Sequence, residues 1–128
     1  MPMIPEWYDD TKTILLFKFT EPSITTWDEY HLAIDEGWAM IRDVDHAVFP
    51  IFDAGKTAMP IGNPMLHLRR SLITLPTNVP TTLNIVDNRF AEAILEMIKS
   101  IHMTDKMVLV HTWQEAEMYI KNYFANNA

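Results

Sequence analysis

Residues 47–73 read AVFPIFDAGKTAMPIGNPMLHLRRSLI, and this run indicates an open α/β sheet. Its apolar start, Ala47–Phe52, predicts a buried strand that ends at Asp53. Ten residues follow, with two of the chain's three glycines, and predict a loop. A helix is expected from Pro64, because Asn63 can cap it and proline is favoured at the first helical position. A carboxylate at a strand end ahead of a helix lies where open α/β sheets place their working surface.

Pro50 lies in the middle of this predicted strand, where it removes one backbone N–H from the sheet. Either the strand carries a bulge, or the side to which that N–H would point is unpaired there. We therefore expect a strand with irregular pairing.

The rest of the chain alternates between strand and helix signals. Two short strands, Glu6–Tyr8 and Thr13–Phe19, flank a polar turn and predict an early hairpin. Capping boxes at Thr26 and Thr112, each with a glutamate three residues on, predict the starts of two helices, the first of which runs to about Arg42. The other predicted elements are the helix Pro64–Ile73, the strands Thr82–Val86 and Met107–Val110, and a helix from Phe90. Strand and helix alternate three times from Ala47 onward, which favours parallel pairing with right-handed crossovers.

Length and composition are those of one globular α/β domain spanning residues 1–128, with a mixed sheet. Apolar residues make up 48% of the chain and four tryptophans are present, which is enough to fill one core. Apolar runs stay well short of the roughly 20 residues that cross a bilayer, so no membrane span is expected. Cysteine is absent, which excludes disulfides, thiolate metal sites and cysteine nucleophiles. The N-terminus shows no signal-peptide pattern, and a cytoplasmic location is expected.

The net charge of −7 is concentrated in the N-terminal half of the chain. Residues 1–64 hold 4 basic and 11 acidic side chains, whereas residues 65–128 hold 6 of each. An acidic surface repels phosphate backbones and anionic lipids, so nucleic acid and electrostatic membrane binding are both disfavoured. The acidic face of the first helix is expected either to be plainly solvated or to dock a basic partner.

Catalytic and cofactor motifs are absent from the sequence. It contains no nucleophile elbow, paired-histidine zinc motif, phosphate-binding loop or dinucleotide fingerprint. The five histidines are scattered, and no two stand four residues apart. We therefore expect no metal and no cofactor.

The loop at 54–63 is the strongest candidate for a binding surface. It is unusually apolar for a surface connection, which is ordinarily polar. Exposed methionine and isoleucine would offer an adaptable contact to a protein partner or to a small apolar ligand. Alternatively, the loop folds back and covers the end of the core. The candidate binding residues are Asp53, Lys56, Met59, Ile61, Asn63, His67 and Arg70.

A helical wheel of residues 64–73 predicts which side of that helix faces the core. The residues expected to face inward are Met65, Leu66, Leu68, Leu72 and Ile73, and those expected to face outward are His67, Arg70 and Ser71. Arg69 falls within the apolar arc, where it must reach outward or pair with a carboxylate such as Asp53 or Asp87.

Several short motifs together resemble those of a known family. They are Ile14-Leu15-Leu16, Trp27-Asp28-Glu29-Tyr30, Asp43-Val44-Asp45-His46, His67-Leu68-Arg69-Arg70, Asn88-Arg89-Phe90-Ala91 and Trp113-Gln114-Glu115-Ala116. From about Tyr8 to Ile120 the chain resembles the STAS-like proteins, relatives of the bacterial anti-sigma factor antagonists, whose fold also borders on the Sec14-type lipid-binding fold. The resemblance implies a mixed sheet with packed helices, and a role in protein–protein signalling rather than catalysis.

The resemblance does not extend to the regulatory serine of the antagonists. In those proteins a partner kinase phosphorylates a serine at the start of the helix that corresponds to Pro64–Ile73, and the added charge disrupts docking. The matching stretch here, residues 60–64, contains neither serine nor threonine. A phosphorylation switch is therefore not implied for this chain.

Three functions follow from these expectations. The leading one is a non-enzymatic interaction module that binds a protein partner, or a second copy of itself, through the 54–63 loop and the following helix. The second is a carrier of a small apolar or lipid-like ligand. The third is a hydrolytic enzyme that uses Asp53, His67 and Arg70, which would require a cleft and perturbed pKa values.

Overall fold

The computed structural model describes residues 3–19, 26–55, 64–86, 93, 96 and 106–127. Its elements are β1 (Met3–Trp7), β2 (Ile14–Phe19), α1 (Trp27–Arg42), β3 (Phe49–Gly55), α2 (Pro64–Ile73), β4 (Thr82–Val86), β5 (Met107–Val110) and α3 (Trp113–Asn126). Most of the helix predicted from Phe90 lies outside the described residues, although Ala93 and Glu96 are both helical. Within the described ranges, no helix has the length and hydropathy needed to cross a bilayer.

The five strands form one mixed sheet in the order β1-β2-β3-β4-β5. β1 pairs antiparallel with β2, and every later neighbour pairs parallel. The N-terminal hairpin and the parallel pairing were both predicted and are confirmed. The hairpin turn is held by Asp9, whose Oδ1 accepts the backbone N–H groups of Thr13 and Ile14 at 3.0 and 3.1 Å.

Two prolines occupy strand positions where their missing N–H costs no sheet hydrogen bond. Phe49 donates its N–H to the carbonyl of Thr13 in the β2 direction at 2.8 Å, so the next residue, Pro50, faces β4. Pairing with β4 begins only at Ile51, so Pro50 has no partner to lose. In β1, Tyr8 donates to Ile14, and alternation along the strand then turns the nitrogen of Pro5 away from β2.

The central strand β3 is shifted relative to its prediction. It begins at Phe49 rather than Ala47, and it continues through Asp53 to Gly55. The extension arises because β4 keeps pairing, with Asp53 opposite Ile85 and Gly55 opposite Val86 across a register irregularity. The structure thus shows the second alternative expected at Pro50, an unpaired side, and a separate register irregularity lies between Asp53 and Gly55. Residues 56–63 of the predicted loop lie outside the described residues.

Helices cover both faces of the sheet. Alternate residues of β2 and β3 face opposite sides: Phe17 and Phe52 pack toward α1, whereas Phe49 and Ile51 pack toward α3. The two core clusters are therefore separated by the sheet itself. The first is built on α1 and includes Leu68 of α2 at its margin, and the second is built on Ala116 and Ile120 of α3.

Helix α1 approaches the sheet closely because Gly37 has no side chain. A Cβ at Gly37 would overlap the ring of Phe17. That ring stacks on Phe52 with centroids 4.5 Å apart and meets the edge of Trp38 at 5.4 Å. Thr26 begins the helix as predicted, because its side chain accepts the N–H of Glu29 at 3.1 Å.

The predicted orientation of α2 was right for Leu68, which packs on the core, and for exposed Arg70, but wrong for three other residues. Ser71, expected outside, is 6% exposed, whereas Leu66 and Ile73, expected inside, are 60% and 67% exposed. The reason is polar: the Tyr30 hydroxyl donates to Ser71 Oγ at 3.1 Å, and Trp38 Nε1 donates to the Ser71 carbonyl at 3.2 Å. Both donors lie on the buried side of α1, so satisfying them fixes the side of α2 that faces inward.

Of the two alternatives expected for Arg69, the structure shows the first: the side chain reaches solvent. It is exposed on the same side of α2 as Leu66 and Ile73. Asp53, one of its two expected partners, accepts a hydrogen bond from Trp113 instead. The other, Asp87, lies outside the described residues.

Candidate functional site

The structure separates the predicted binding residues. Asp53 points to the face of the sheet covered by α3, where Trp113 Nε1 donates to its Oδ2 at 2.8 Å. His67 and Arg70 lie on α2, which packs against α1 on the opposite face. Among the described residues these three therefore do not form one site. The other four predicted residues, Lys56, Met59, Ile61 and Asn63, lie outside the described residues.

The first surface is the outward side of α2, which we call the α2 stripe: Leu66, Arg69, Arg70 and Ile73. These positions recur at helical spacing, so they lie along one side of the helix. Together with His31 and His67 they line a shallow groove of about 370 Å³ that opens to solvent. The stripe thus combines two exposed aliphatic ends with two cations between them.

Aromatic rings fix the edge of the α2 stripe. His67 stacks on Trp27 with centroids 4.6 Å apart and an interplanar angle of 11°. His31 Nε2 and His67 Nδ1 are 2.8 Å apart and share one hydrogen bond, in which one ring donates and the other accepts. The indole N–H of Trp27 is buried and has no hydrogen-bond acceptor among the described residues. Leaving a buried N–H without an acceptor costs about 1–3 kcal/mol. Among the described residues, the Trp27 indole therefore still lacks an acceptor at this end of α1 and α2.

Charge at this edge favours a neutral imidazole at His31. Burial lowers the pKa of His31, and the nearby Arg70 and His67 lower it further, against a smaller opposing effect of Asp35 and Asp28. Arg70 is also 3.7 Å from Asp35, which anchors α2 to α1. The hydrogen bond between His31 Nε2 and His67 Nδ1 needs one of these two nitrogens to carry no proton. If both rings were protonated, neither nitrogen could accept and the bond would be lost.

The second surface is a groove on the other face of the sheet, which we call the Asp53 groove. It encloses about 490 Å³ and opens to solvent, and its walls are formed by Tyr8, Leu16, Lys18, Asp53, Trp113 and Glu117. The rings of Tyr8 and Trp113 stack with centroids 5.1 Å apart at an angle of 20°. Among the described residues α3 contacts mainly β4 and β5, and Tyr8, next to β1, is 50% exposed.

Some of these residues could have been found from the sequence. Trp113 follows β5 directly and Asp53 lies near the end of β3, and the carboxyl ends of parallel strands meet at one edge of a sheet. His31 and Trp27 gave no comparable signal, because only the packing of α1 against α2 brings them to His67. No group of three or more metal-ligating side chains occurs within the part of the chain that is described.

Comparison with known proteins adds no assignment. No protein-family model matches this chain, and neither the curated proteins nor the solved structures give a match. The resemblance to STAS-like proteins therefore stays a prediction from the motifs.

Proposed function

We propose that this protein is a non-enzymatic, cytoplasmic interaction module of the STAS-like kind that binds a protein partner through the α2 stripe. One observation carries the proposal: Leu66 and Ile73 are 60% and 67% exposed on a helix whose inward side is fixed by hydrogen bonds to Ser71. What distinguishes Leu66 and Ile73 from a single exposed side chain such as Leu32 is that both line one groove together with two arginines, which supports a contact surface there.

The stripe offers enough apolar surface to contribute to binding without being an interface by itself. Full burial of a leucine or isoleucine contributes about 1.5–3 kcal/mol, so covering the exposed parts of Leu66 and Ile73 contributes about 2–4 kcal/mol in all. A stable interface is larger than four side chains. The partner is therefore expected to contact residues beyond the stripe, and the 54–63 loop, which precedes α2 in the chain, is the segment that the sequence predicts for this.

Charge indicates the chemistry of the partner. Arg69 and Arg70 lie between the two apolar residues, on a chain whose net charge is −7. A partner carboxylate opposite the stripe would be attracted by Arg69 and, in competition with Asp35, by Arg70, whereas the acidic remainder of this protein would repel an acidic partner bound elsewhere. The expected partner surface is therefore apolar with flanking acidic side chains.

Regulation by phosphorylation of α2 is not part of the proposal. Its one hydroxyl residue, Ser71, is buried, and its Oγ donates to the Leu68 carbonyl at 2.7 Å while accepting from Tyr30. A kinase would have to expose this group by unfolding the helix contact. The alternative of an apolar or lipid-like ligand held in the protein interior gains no support from the described residues, since both of the grooves described above open to solvent.

Two leucines with equal exposure allow a matched test. Leu66 on the stripe and Leu32 on α1 are each 60% exposed. Leu66→Ala should weaken partner binding about fivefold, because it removes roughly 1 kcal/mol of buried apolar surface, whereas Leu32→Ala should leave binding unchanged. Quantitative affinity capture from a lysate of the source cells, followed by mass spectrometry, compares the two variants. Equal capture by both would overturn the proposal, and sedimentation of the purified protein tests whether the partner is a second copy.

A further inference from the structure

We infer that the Asp53 groove binds a small organic cation, an ammonium or guanidinium group carried on an aromatic or apolar body. This site lies on the opposite face of the sheet from the α2 stripe and is independent of it. Three features of the groove carry the inference: its size, its aromatic wall and its charge.

The size of the groove suits a small molecule. Ligand pockets in proteins typically enclose 300–1,000 Å³, and the Asp53 groove encloses about 490 Å³. Leu16 supplies an apolar floor from β2, and the α3 side chains Trp113 and Glu117, one helical turn apart, form one wall. Strand β2 and helix α3 are regular elements, so this part of the groove is built on rigid backbone.

The aromatic wall is held in one orientation. Trp113 donates its indole N–H to Asp53 at 2.8 Å, and its ring stacks on Tyr8. The hydrogen bond and the stack fix the ring from two directions, so little rotamer freedom is lost when a ligand covers it. Indole and phenol faces attract cations through their negative quadrupole.

The charge of the groove selects a cation over an anion. Asp53 and Glu117 contribute two carboxylates, and the hydrogen bond that Asp53 accepts comes from a neutral donor, so its negative charge is not cancelled by that bond. Lys18, the cation of the lining, is 4.0 Å from a third carboxylate, Glu6. A ligand ammonium in the groove would therefore lie in a space lined by two carboxylates and the aromatic wall.

The test compares three probes of similar shape and different charge. Phenethylamine carries an ammonium at neutral pH, 2-phenylethanol is uncharged, and 3-phenylpropionate is anionic. Each is titrated into the full chain while the four tryptophan indole N–H resonances are followed by ¹H–¹⁵N NMR, with that of Trp113 assigned from a Trp113→Phe variant. Phenethylamine should shift the Trp113 signal and bind at least about tenfold more tightly than the alcohol.

Charge-only variants decide whether the carboxylates are responsible. Asp53→Asn keeps an oxygen that can accept the Trp113 N–H and removes only the charge, and Glu117→Gln changes an exposed side chain. Each should weaken phenethylamine binding about threefold to tenfold, whereas the control Glu36→Gln, an exposed carboxylate on α1, should not. Equal binding of the alcohol or the propionate, unchanged affinity in both variants, or absence of a Trp113 shift at millimolar phenethylamine would each overturn the inference.

Discussion

Replacing Ser71 by alanine tests the observed orientation of α2 directly. The change leaves the Tyr30 hydroxyl without its acceptor, and burial of Tyr30, which raises its pKa to about 12, leaves no water to replace it. An unpaired buried hydroxyl costs about 1–3 kcal/mol, partly offset by about 0.5 kcal/mol from the better helix propensity of alanine. The Trp38 hydrogen bond goes to the Ser71 backbone and is unaffected. We therefore expect a net loss of about 0.5–2.5 kcal/mol in the free energy of unfolding.

The assay is a double-mutant cycle in chemical denaturation with Tyr30→Phe. Tyr30→Phe removes the hydroxyl that Ser71→Ala would leave without an acceptor. In the Tyr30→Phe background, Ser71→Ala should therefore lower the unfolding free energy much less than in wild type, with a coupling energy of about 1 kcal/mol. If α2 instead had the orientation that its hydrophobic pattern predicts, Ser71 would be solvated. Ser71→Ala would then be neutral or slightly stabilising and show no coupling, and that result would refute the packing described here.

Two further predictions concern α1. Since the pKa of His31 is lowered in the folded protein, the unfolded chain binds more protons below the ordinary value of 6.5, and stability should fall as the pH drops through that value. Between pH 7.5 and 5.5 the wild type should therefore lose unfolding free energy relative to His31→Gln; a difference between the two proteins that is independent of pH would contradict the lowered pKa. Gly37→Ala should destabilise the protein by about 1–3 kcal/mol despite the better helix propensity of alanine, because its methyl group overlaps the ring of Phe17. Thermal or urea unfolding measures this, and an unchanged or raised midpoint would show that the ring moves aside freely.

Elements whose periodicity and caps agree were predicted well. The start of α1 was located because Thr26 caps it and apolar residues follow at helical spacing, and the structure shows both. The bounds of α2, Pro64–Ile73, were also correct. Its orientation was correct only in part, because a hydrophobic wheel gives no weight to a serine that satisfies buried Tyr30 and Trp38.

Two features of β3 depend on its pairing with neighbouring strands and could not be predicted from its own sequence: where it ends and which face Asp53 takes. The end of β3 was predicted at Asp53 because the apolar run stops there, yet β4 continues the ladder to Gly55. The predicted site placed Asp53 and His67 together because they are close in the sequence. The alternation of side chains along β3 instead directs Asp53 toward Trp113 and away from α2. Which face a strand residue takes depends on register, and register is fixed only when the neighbouring strands are in place.

The position of Pro5 limits how copies of this protein can assemble. The nitrogen of Pro5 lies on the outer edge of β1. A strand from another chain that paired with this edge would need backbone N–H donors there, and proline has none. A neighbouring chain aligned there would find one bond missing in the middle of a five-residue strand, so sheet-to-sheet growth into fibres is discouraged along this margin. This protection concerns the β1 edge alone, because β5 forms the other edge of the sheet and its four residues, Met107–Val110, include no proline.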